Sequence, residues 1–343
     1  MNARFVTADF SETIQGYDLI AKRLAARGLG KHVGYTPHGL RRFIGACLAR
    51  LPRYRGLARN DAYHLWLLSC AGWRGKAAPL HHVIWGDALA MRIRTRGRYT
   101  LTIHQPHELW PAGFADSLRR ASGIVTVTER EAAYIRALYP QMPVRCVRNP
   151  VDVDFFRPPT TKPAGNKVIV AAGRHLRNHS MFMRVASRLI QERPDVEFRV
   201  LLNPGFKWPN EVAAMQPTKR FTVVQALSVD QLRDFYRVAH AACMPYNNVT
   251  ASNSICESLA CGVPVVTTRV GGMETYLEDG SLILVENNRD DDMLAQLHRL
   301  LDDPTWHQTC RQSARAFAEK ALHWPVILDD LESFLRGVDA TPQ

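Results

Sequence analysis

The amino-acid sequence predicts an α/β chain of two parallel-sheet domains. Three observations carry this. Short β-rich runs alternate with helical stretches along most of the 343 residues, the pattern of parallel sheets with helices on both faces. Val168-Ile169-Val170-Ala171-Ala172 is a continuous apolar run, as a strand buried on both faces requires. Pro158, Pro159, Pro163 and Gly165 punctuate the middle of the chain, where a linker between two halves belongs.

The elements follow in order. Arg4 to Ala8 reads as the first strand. Thr13 to Arg27 reads as a helix, with Ile14, Tyr17, Leu19, Ile20 and Leu24 at helical spacing, and Gly28-Leu29-Gly30 ends it. Tyr99 to Ile103 and Gly123 to Val127 are further strands. The second of them feeds a helix in which Thr128 and Glu131 have the spacing of a capping box. Val144 to Val147 is a short strand before the break at Asn149-Pro150. In the second half Gly173 ends the strand from Val168, and a helix runs from about Ser180 to Glu192. Glu197 to Leu202, Phe221 to Val224, Ala241 to Met244 and Val263 to Thr267 read as strands. The expected domains are 1–157 and 158–325, with a C-terminal helix in 326–343.

Apolar residues make up 46% and charged residues 22% of the chain, a globular composition rather than a disordered one. No apolar run is long enough to cross a bilayer, and the start lacks the three regions of a signal peptide. Seven scattered cysteines with no CxxC argue for reduced thiols and against a zinc site. The expectation is a cytoplasmic protein. Residues 1–150 carry the whole net charge of +12, and the remainder is slightly acidic. A polyanion or an anionic membrane is the expected partner of that half.

Arg41 to Arg59 is rich in arginine and holds no acid. Phe43, Ile44, Leu48 and Leu51 have the spacing of one helical face. The functional reading is a helix in peripheral contact with an anionic membrane, with Arg41, Arg42, Arg50, Arg53 and Arg55 on the acceptor or membrane side. The alternative is a solvated basic helix whose apolar face packs on its own domain. Trp66, Trp73 and Trp85 belong either to that surface or to the core.

Tyr246 to Gly272 is the chemically informative stretch. Ser252-Asn253-Ser254 are helix-starting residues, and Glu257 lies one turn in. The free N–H groups at such a start, Ser252 to Ile255, suit a diphosphate, and the Glu257 carboxylate suits two ribose hydroxyls. An ordinary capped helix with a solvated glutamate is an equal reading of these residues alone. Asp290-Asp291-Asp292 reads as a charge run at a helix start. His81-His82 and His104 with His107 come without H-E-x-x-H, so no metal site is expected.

Cys256 to Gly272, CESLACGVPVVTTRVGG, resembles the donor-binding signature of family 4 glycosyltransferases. Ala171-Ala172-Gly173-Arg174 resembles that family's G-R turn, and Val147 to Phe155 its N-G-V-D-x-x-x-F junction. Tyr99 to Tyr139 is similar to its T-x-H strand and the segments that follow. The resemblance covers most of residues 98–340. It implies the GT-B fold, two Rossmann-like domains facing a cleft, with the 326–343 helix packing back on the first domain. It also implies retaining, metal-independent transfer from a nucleotide sugar, UDP- or GDP-linked, to a glycan or lipid-linked glycan. No other cofactor is implied. The setting would be cell-surface polysaccharide, lipopolysaccharide or glycolipid synthesis, at the inner face of the cell membrane.

Residue by residue, the resemblance makes Glu257 the ribose ligand, Arg174 the diphosphate cation and His104 the histidine near the transferred sugar. Gly16 falls on a glycine of the first-domain loop, and Gly173, Leu227, Ser252, Asn253, Ser254 and Ile255 on the donor side. Asp152-Val153-Asp154 falls on the junction loop rather than on a D-x-D metal site. The departures are Val249 at the first Glu of E-x7-E, His179 at the second cation, Pro150 at the junction glycine, Thr275 beside Glu274 after V-G-G, and Gln15-Gly16 at the glycine pair. They keep a catalytically degenerate sugar-nucleotide-binding protein open as an alternative. The basic first half keeps open a nucleic-acid-binding or DNA-modifying one. It lacks aromatic-basic interleaving and any compact recognition motif, so no nucleic-acid partner is expected.

Overall fold

The computed structural model describes residues 1, 3–8, 17–35, 39–55, 57–71, 79–95, 97–160, 167–202, 205, 220–278 and 280–341. Gly16, Trp73 and most of the expected linker lie outside the described residues, as does the expected helix start from Thr13. The chain forms two compact units, Met1–Arg148 with Pro325–Gln343, and Asn149–Trp324.

The first unit holds six strands: β1 Ala3–Ala8, β2 Gly30–Tyr35, β3 His81–Val83, β4 Tyr99–Ile103, β5 Gly123–Thr126 and β6 Val144–Cys146. They form one sheet in the order β2-β1-β3-β4-β5-β6, and every pairing is parallel. Its helices are α1 Tyr17–Ala26, α2 Gly39–Leu48, α3 Arg59–Ala71, α4 Phe114–Leu118 and α5 Glu129–Leu138. Val6, Leu65, Val83, Leu101, Ile103, Ile124 and Ile135 meet in its core. The terminal helix, Trp324–Ala340, completes this unit. Arg27 pairs there with Asp329, Arg98 donates to the Asp339 carbonyl at 3.1 Å, and Leu335 and Val338 are buried.

Two local expectations change in this unit. Thr128 precedes α5 but does not cap it, because its hydroxyl donates to the Glu131 carboxylate instead of accepting a backbone N–H. The apolar residues of Arg41 to Leu51 do not share one buried face. Leu48 turns inward and Ile44 packs against the core, whereas Phe43 and Leu51 are 67% and 49% exposed, as is Leu40 at 72%. Arg41, Arg42, Arg50, Arg53 and Arg55 are all exposed beside them. Trp66 packs against the core, and Trp85 stacks on His104.

The second unit holds β7 Lys167–Ala172, β8 Val196–Leu201, β9 Phe221–Val224, β10 Ala239–Met244, β11 Val265–Thr268 and β12 Leu282–Val285. The sheet order is β12-β11-β10-β7-β8-β9, again parallel throughout. Its helices are α6 His179–Glu192, α7 Val229–Arg237, α8 Asn253–Ala260, α9 Asp290–Asp302 and α10 Pro304–Ala321. Asn178 caps α6 by accepting the Met181 N–H at 2.9 Å, and Met181, Phe182, Val185 and Leu189 of that helix pack on Ile169, Phe198 and Val200. The strand order reverses between β7 and β10. In open parallel sheets such a reversal leaves a crevice at the carboxyl ends of the strands, where ligands bind.

The second unit begins at Asn149, ahead of the expected boundary after residue 157. Its first residues are tied to its own helices. The Val151 N–H donates to the Leu322 carbonyl at 2.8 Å, and Arg315 donates to the carbonyls of Val153 and Phe156 at 2.9 Å each. Asp152 and Asp154 are engaged separately, Asp152 with the Phe155 N–H and Asp154 near His323. Among the described residues no helix is long and apolar enough to cross a membrane.

Candidate functional site

The crevice of the second unit is built from the ends of β7 and β10 and the start of α8. Gly173 ends β7 with φ of 89°, a left-handed conformation that suits glycine. The Arg177 guanidinium lies against its open face, where a side-chain carbon would come 3.1 Å from Nη2. Arg177 sits over the Tyr246 ring, 3.9 Å from the centroid. Its Nη2 donates to Ser254 Oγ at 2.6 Å and reaches Ser252 Oγ at 3.4 Å. Burial lowers the Arg177 pKa. No carboxylate pairs with it among the described residues, and Nη1 is buried without a hydrogen-bond partner.

Ser252 is the residue before α8, yet its hydroxyl does not cap the helix; it meets Ser254 Oγ at 2.8 Å and faces Arg177. Asn253 accepts from Asn149 Nδ2 at 3.0 Å, which anchors the helix start. Ile255 is buried and its N–H donates to the Ser252 carbonyl. One turn on, Glu257 is buried, and burial raises its carboxyl to about 7, with the Tyr236 hydroxyl beside it working in the opposite direction. This is no solvated surface glutamate.

The other second-unit candidates lie around this cluster. The Arg174 side chain is exposed and makes no hydrogen bond or ion pair among the described residues. His179 opens α6 half-buried, and burial lowers its pKa, with the Arg177 charge adding to the effect and a hydrogen bond to the Arg174 backbone opposing it. Its imidazole therefore favours the neutral form more than a free histidine does. Leu227 sits half-buried between β9 and α7. Val249 is buried, and its carbonyl accepts the Gly272 N–H at 2.8 Å. At Gly271, with φ of 55°, a side-chain carbon would come 2.0 Å from that carbonyl. Val249 thus holds the glycine loop by its backbone rather than offering a side chain.

Within the first unit, His104 follows β4 and is buried. Its ring stacks on Trp85 with centroids 4.8 Å apart, and its Nε2 donates to the Ile84 carbonyl at 2.7 Å. Asp87 accepts the N–H groups of His104 and Gln105, both at 2.9 Å, and so fixes the turn. Burial lowers the His104 pKa against the opposing charge of Asp87. His82 is held to about 3 by burial and bonds Thr100 and Thr102 inside the sheet. His107, Glu108 and Glu131 offer atoms within 4.8 Å of one another, but Arg130 already pairs with both glutamates.

Residues 166–303 match the family model described as glycosyl transferases group 1. The chain thus resembles group 1 glycosyltransferases through its second unit. It is 26% identical over 316 residues to a D-inositol 3-phosphate glycosyltransferase of Nocardiopsis dassonvillei, an alignment that covers 83% of this chain and 73% of that one. Its fold is that of solved GT-B glycosyltransferase structures. Sucrose-phosphate synthase from Thermosynechococcus elongatus superposes with a TM-score of 0.76 at 14% identity, covering 99% of this chain and 100% of that one. An Anabaena protein in complex with UDP and glucose superposes with a TM-score of 0.70 at 13% identity, covering 98% and 99%.

Arg177 and Tyr246 are the residues of this candidate site that sequence reasoning missed. A guanidinium three residues past a G-R turn carries no local signal, because its partners lie about 70 positions away in the chain. The hint was indirect: a serine pair at a helix start.

Proposed function

We propose that the chain transfers a sugar from a nucleotide sugar, UDP- or GDP-linked, to a glycan or lipid-linked acceptor, with retention and without a metal ion. The observation that carries the donor half of this reading is the cluster of Gly173, Arg177, Ser252 and Ser254 at the start of α8, one turn from the buried Glu257. A helix start and a fixed guanidinium both favour a diphosphate. Breaking the glycosidic bond puts negative charge on the leaving phosphate, and preorganised donors aimed at it lower the barrier. The acceptor hydroxyl would attack from the face the diphosphate leaves, and a phosphate oxygen would take its proton. Glu257, as the charged form, would accept the ribose hydroxyls. Arg174, exposed at the rim, would be free to follow the charge that grows in the transition state. His104 is assigned to the sugar side. The relatives' name adds an inositol phosphate as an acceptor to test beside glycans.

Calorimetric titration of the full chain with UDP and with GDP tests this. One of the two is expected to bind, and its sugar ester is expected to be consumed in an acceptor-dependent way. Failure of both diphosphates to bind ends the reading. Binding without turnover over glycan, lipid-linked and inositol phosphate acceptors replaces it with the degenerate binding protein.

A further inference from the structure

A cavity of about 740 Å³ opens at the other edge of the second unit's sheet, within the ~300–1,000 Å³ usual for small-molecule sites. Lys167 at the start of β7 and His240 near the start of β10 line it, with one face of α10 as a wall. Gly173 follows the opposite end of β7, roughly 20 Å away at ~3.3 Å per strand residue. The cavity is therefore separate from the crevice that holds Arg177.

The charges around it do not cancel. Lys167 donates to the Leu301 carbonyl at 2.6 Å and lies 3.6 Å from the Asp195 carboxylate. Arg315 donates to the carbonyls of Val153, Phe156 and Ala260 and pairs with Glu319 at 2.7 Å. Arg311, on the same face of α10, is partly buried and makes no hydrogen bond or ion pair among the described residues. The neighbouring sequence from Thr161 to Asn166, TKPAGN, contains a lysine and no acid, so it supplies no counter-charge. Burial lowers the Arg311 pKa, and a guanidinium that loses hydration without gaining a partner costs stability. Gln308 and Gln312 flank it and add amide groups. Beside them the rings of His240 and His307 stack with centroids 3.9 Å apart and planes 6° apart. The stack is fixed, because His240 Nε2 donates to the Leu300 carbonyl and His307 Nε2 to the His240 carbonyl.

We propose that this cavity binds a small molecule bearing an oxyanion, a phosphate or a carboxylate, with Arg311 as its main contact. The guanidinium presents a planar fork of donors that matches either group, and the oxyanion supplies the charge the protein withholds. Wall, floor and cation all come from the second unit, so the site needs nothing from the sugar donor.

The His240 and His307 ring resonances report on the cavity directly. The full chain is labelled in its histidines and titrated with inorganic phosphate and, separately, with citrate, against chloride at matched ionic strength. Saturable shifts of these two rings are expected with at least one of the anions, independently of any shift of the His179 ring beside the donor crevice. Phosphate alone or citrate alone then identifies the oxyanion class. Arg311→Gln is expected to weaken the binding about 10-fold or more, and Arg311→Lys to recover part of it. Arg174→Ala, at the other edge, is expected to bind as the wild type does. The proposal is overturned if neither anion moves the two rings saturably, or if Arg311→Gln titrates like the wild type. Should Arg311→Gln fail to fold, an Arg311→Lys variant with unchanged affinity also overturns it, because the fork would then contribute nothing.

Discussion

Arg177 stacks on Tyr246 at 3.9 Å while its Nη2 bonds the hydroxyl of Ser254 at 2.6 Å. One side chain thus links the turn after β7, the loop after β10 and the start of α8. A buried cation normally has a carboxylate partner, and here two hydroxyls and an aromatic face take that place. The arrangement holds positive charge at a helix start without neutralising it.

Arg177→Gln should therefore weaken nucleoside diphosphate binding about 10- to 100-fold, the value of charge-assisted hydrogen bonds of about 1.5–3 kcal/mol. Arg177→Lys should recover only part, since an ammonium lacks the fork that spans two hydroxyls. Calorimetry on both variants checks this. If Arg177 is only a structural pin, the Gln variant loses thermal stability and keeps its diphosphate affinity.

Arg174 should behave differently. It is exposed and unengaged among the described residues, and in the proposed reading Arg177 and the α8 N–H groups hold the ground-state diphosphate. Its contribution is expected in the transition state, where charge on the leaving phosphate grows. Arg174→Ala should lower turnover about 10²–10³-fold with a smaller change in donor affinity. Steady-state kinetics with a fixed acceptor separates the two, and a full-rate alanine variant removes Arg174 from the mechanism.

Glu257 links pH to both binding and stability. Its folded pKa is raised to about 7 from an ordinary 4.5, so the folded state holds a proton that the unfolded state releases between those values. Its contribution to stability accordingly falls as pH rises from 4.5 to 7 and stays low above. Glu257→Gln removes that cost. The variant should melt higher than wild type at pH 8, and the difference should shrink toward zero near pH 4.5. Donor binding should show the opposite trend: wild-type affinity should rise through pH 7 as the carboxylate forms, and the Gln variant should be weaker and flat. Equal melting temperatures at pH 8 with pH-independent donor affinity would return Glu257 to the role of an ordinary helix residue.

Much of the second unit was legible because its strands are buried on both faces. Val168 to Ala172 and Ala241 to Met244 are apolar throughout, and the Gly and Pro residues beside them mark the ends. The first unit was less so. Gly30–Tyr35 and His81–Val83 are strands, but one carries a lysine, a histidine and two glycines, and the other is three residues with two histidines. His82 survives burial only through Thr100 and Thr102 on the neighbouring strand, a pairing visible in the sheet register alone. Gly173 and the helix start at Ser252 to Ile255 were legible as a strand end and a helix start, but which partner each side chain serves was not readable. Whether a hydroxyl caps its own helix depends on where its neighbours lie: Ser252 serves the distant Arg177 guanidinium instead, and Thr128 donates to the nearby Glu131 carboxylate.

The exposed side of α2 supports a surface-binding role with two separable contributions. Leu40 and Phe43 stand in solvent on the helix and Leu51 just beyond it, among Arg41, Arg42, Arg50, Arg53 and Arg55. Apolar side chains left outside a core favour the acyl boundary of a bilayer, and each arginine near an anionic surface adds about 1 kcal/mol. The electrostatic part is screened by salt, with a Debye length of about 10 Å at 0.1 M, whereas the apolar part is not. Co-sedimentation with phosphatidylserine-containing vesicles should therefore fall in part, not wholly, between low and high salt. Replacing the five arginines by glutamine should abolish the salt-sensitive fraction and selectivity over neutral vesicles. Leu40→Ser with Phe43→Ser should abolish the salt-resistant fraction, and thermal melts should show both variants folded, since all the replaced side chains are exposed. If wild type binds neither vesicle at either salt, α2 is a solvated basic helix, and the apolar residues on its outer side await a protein partner instead.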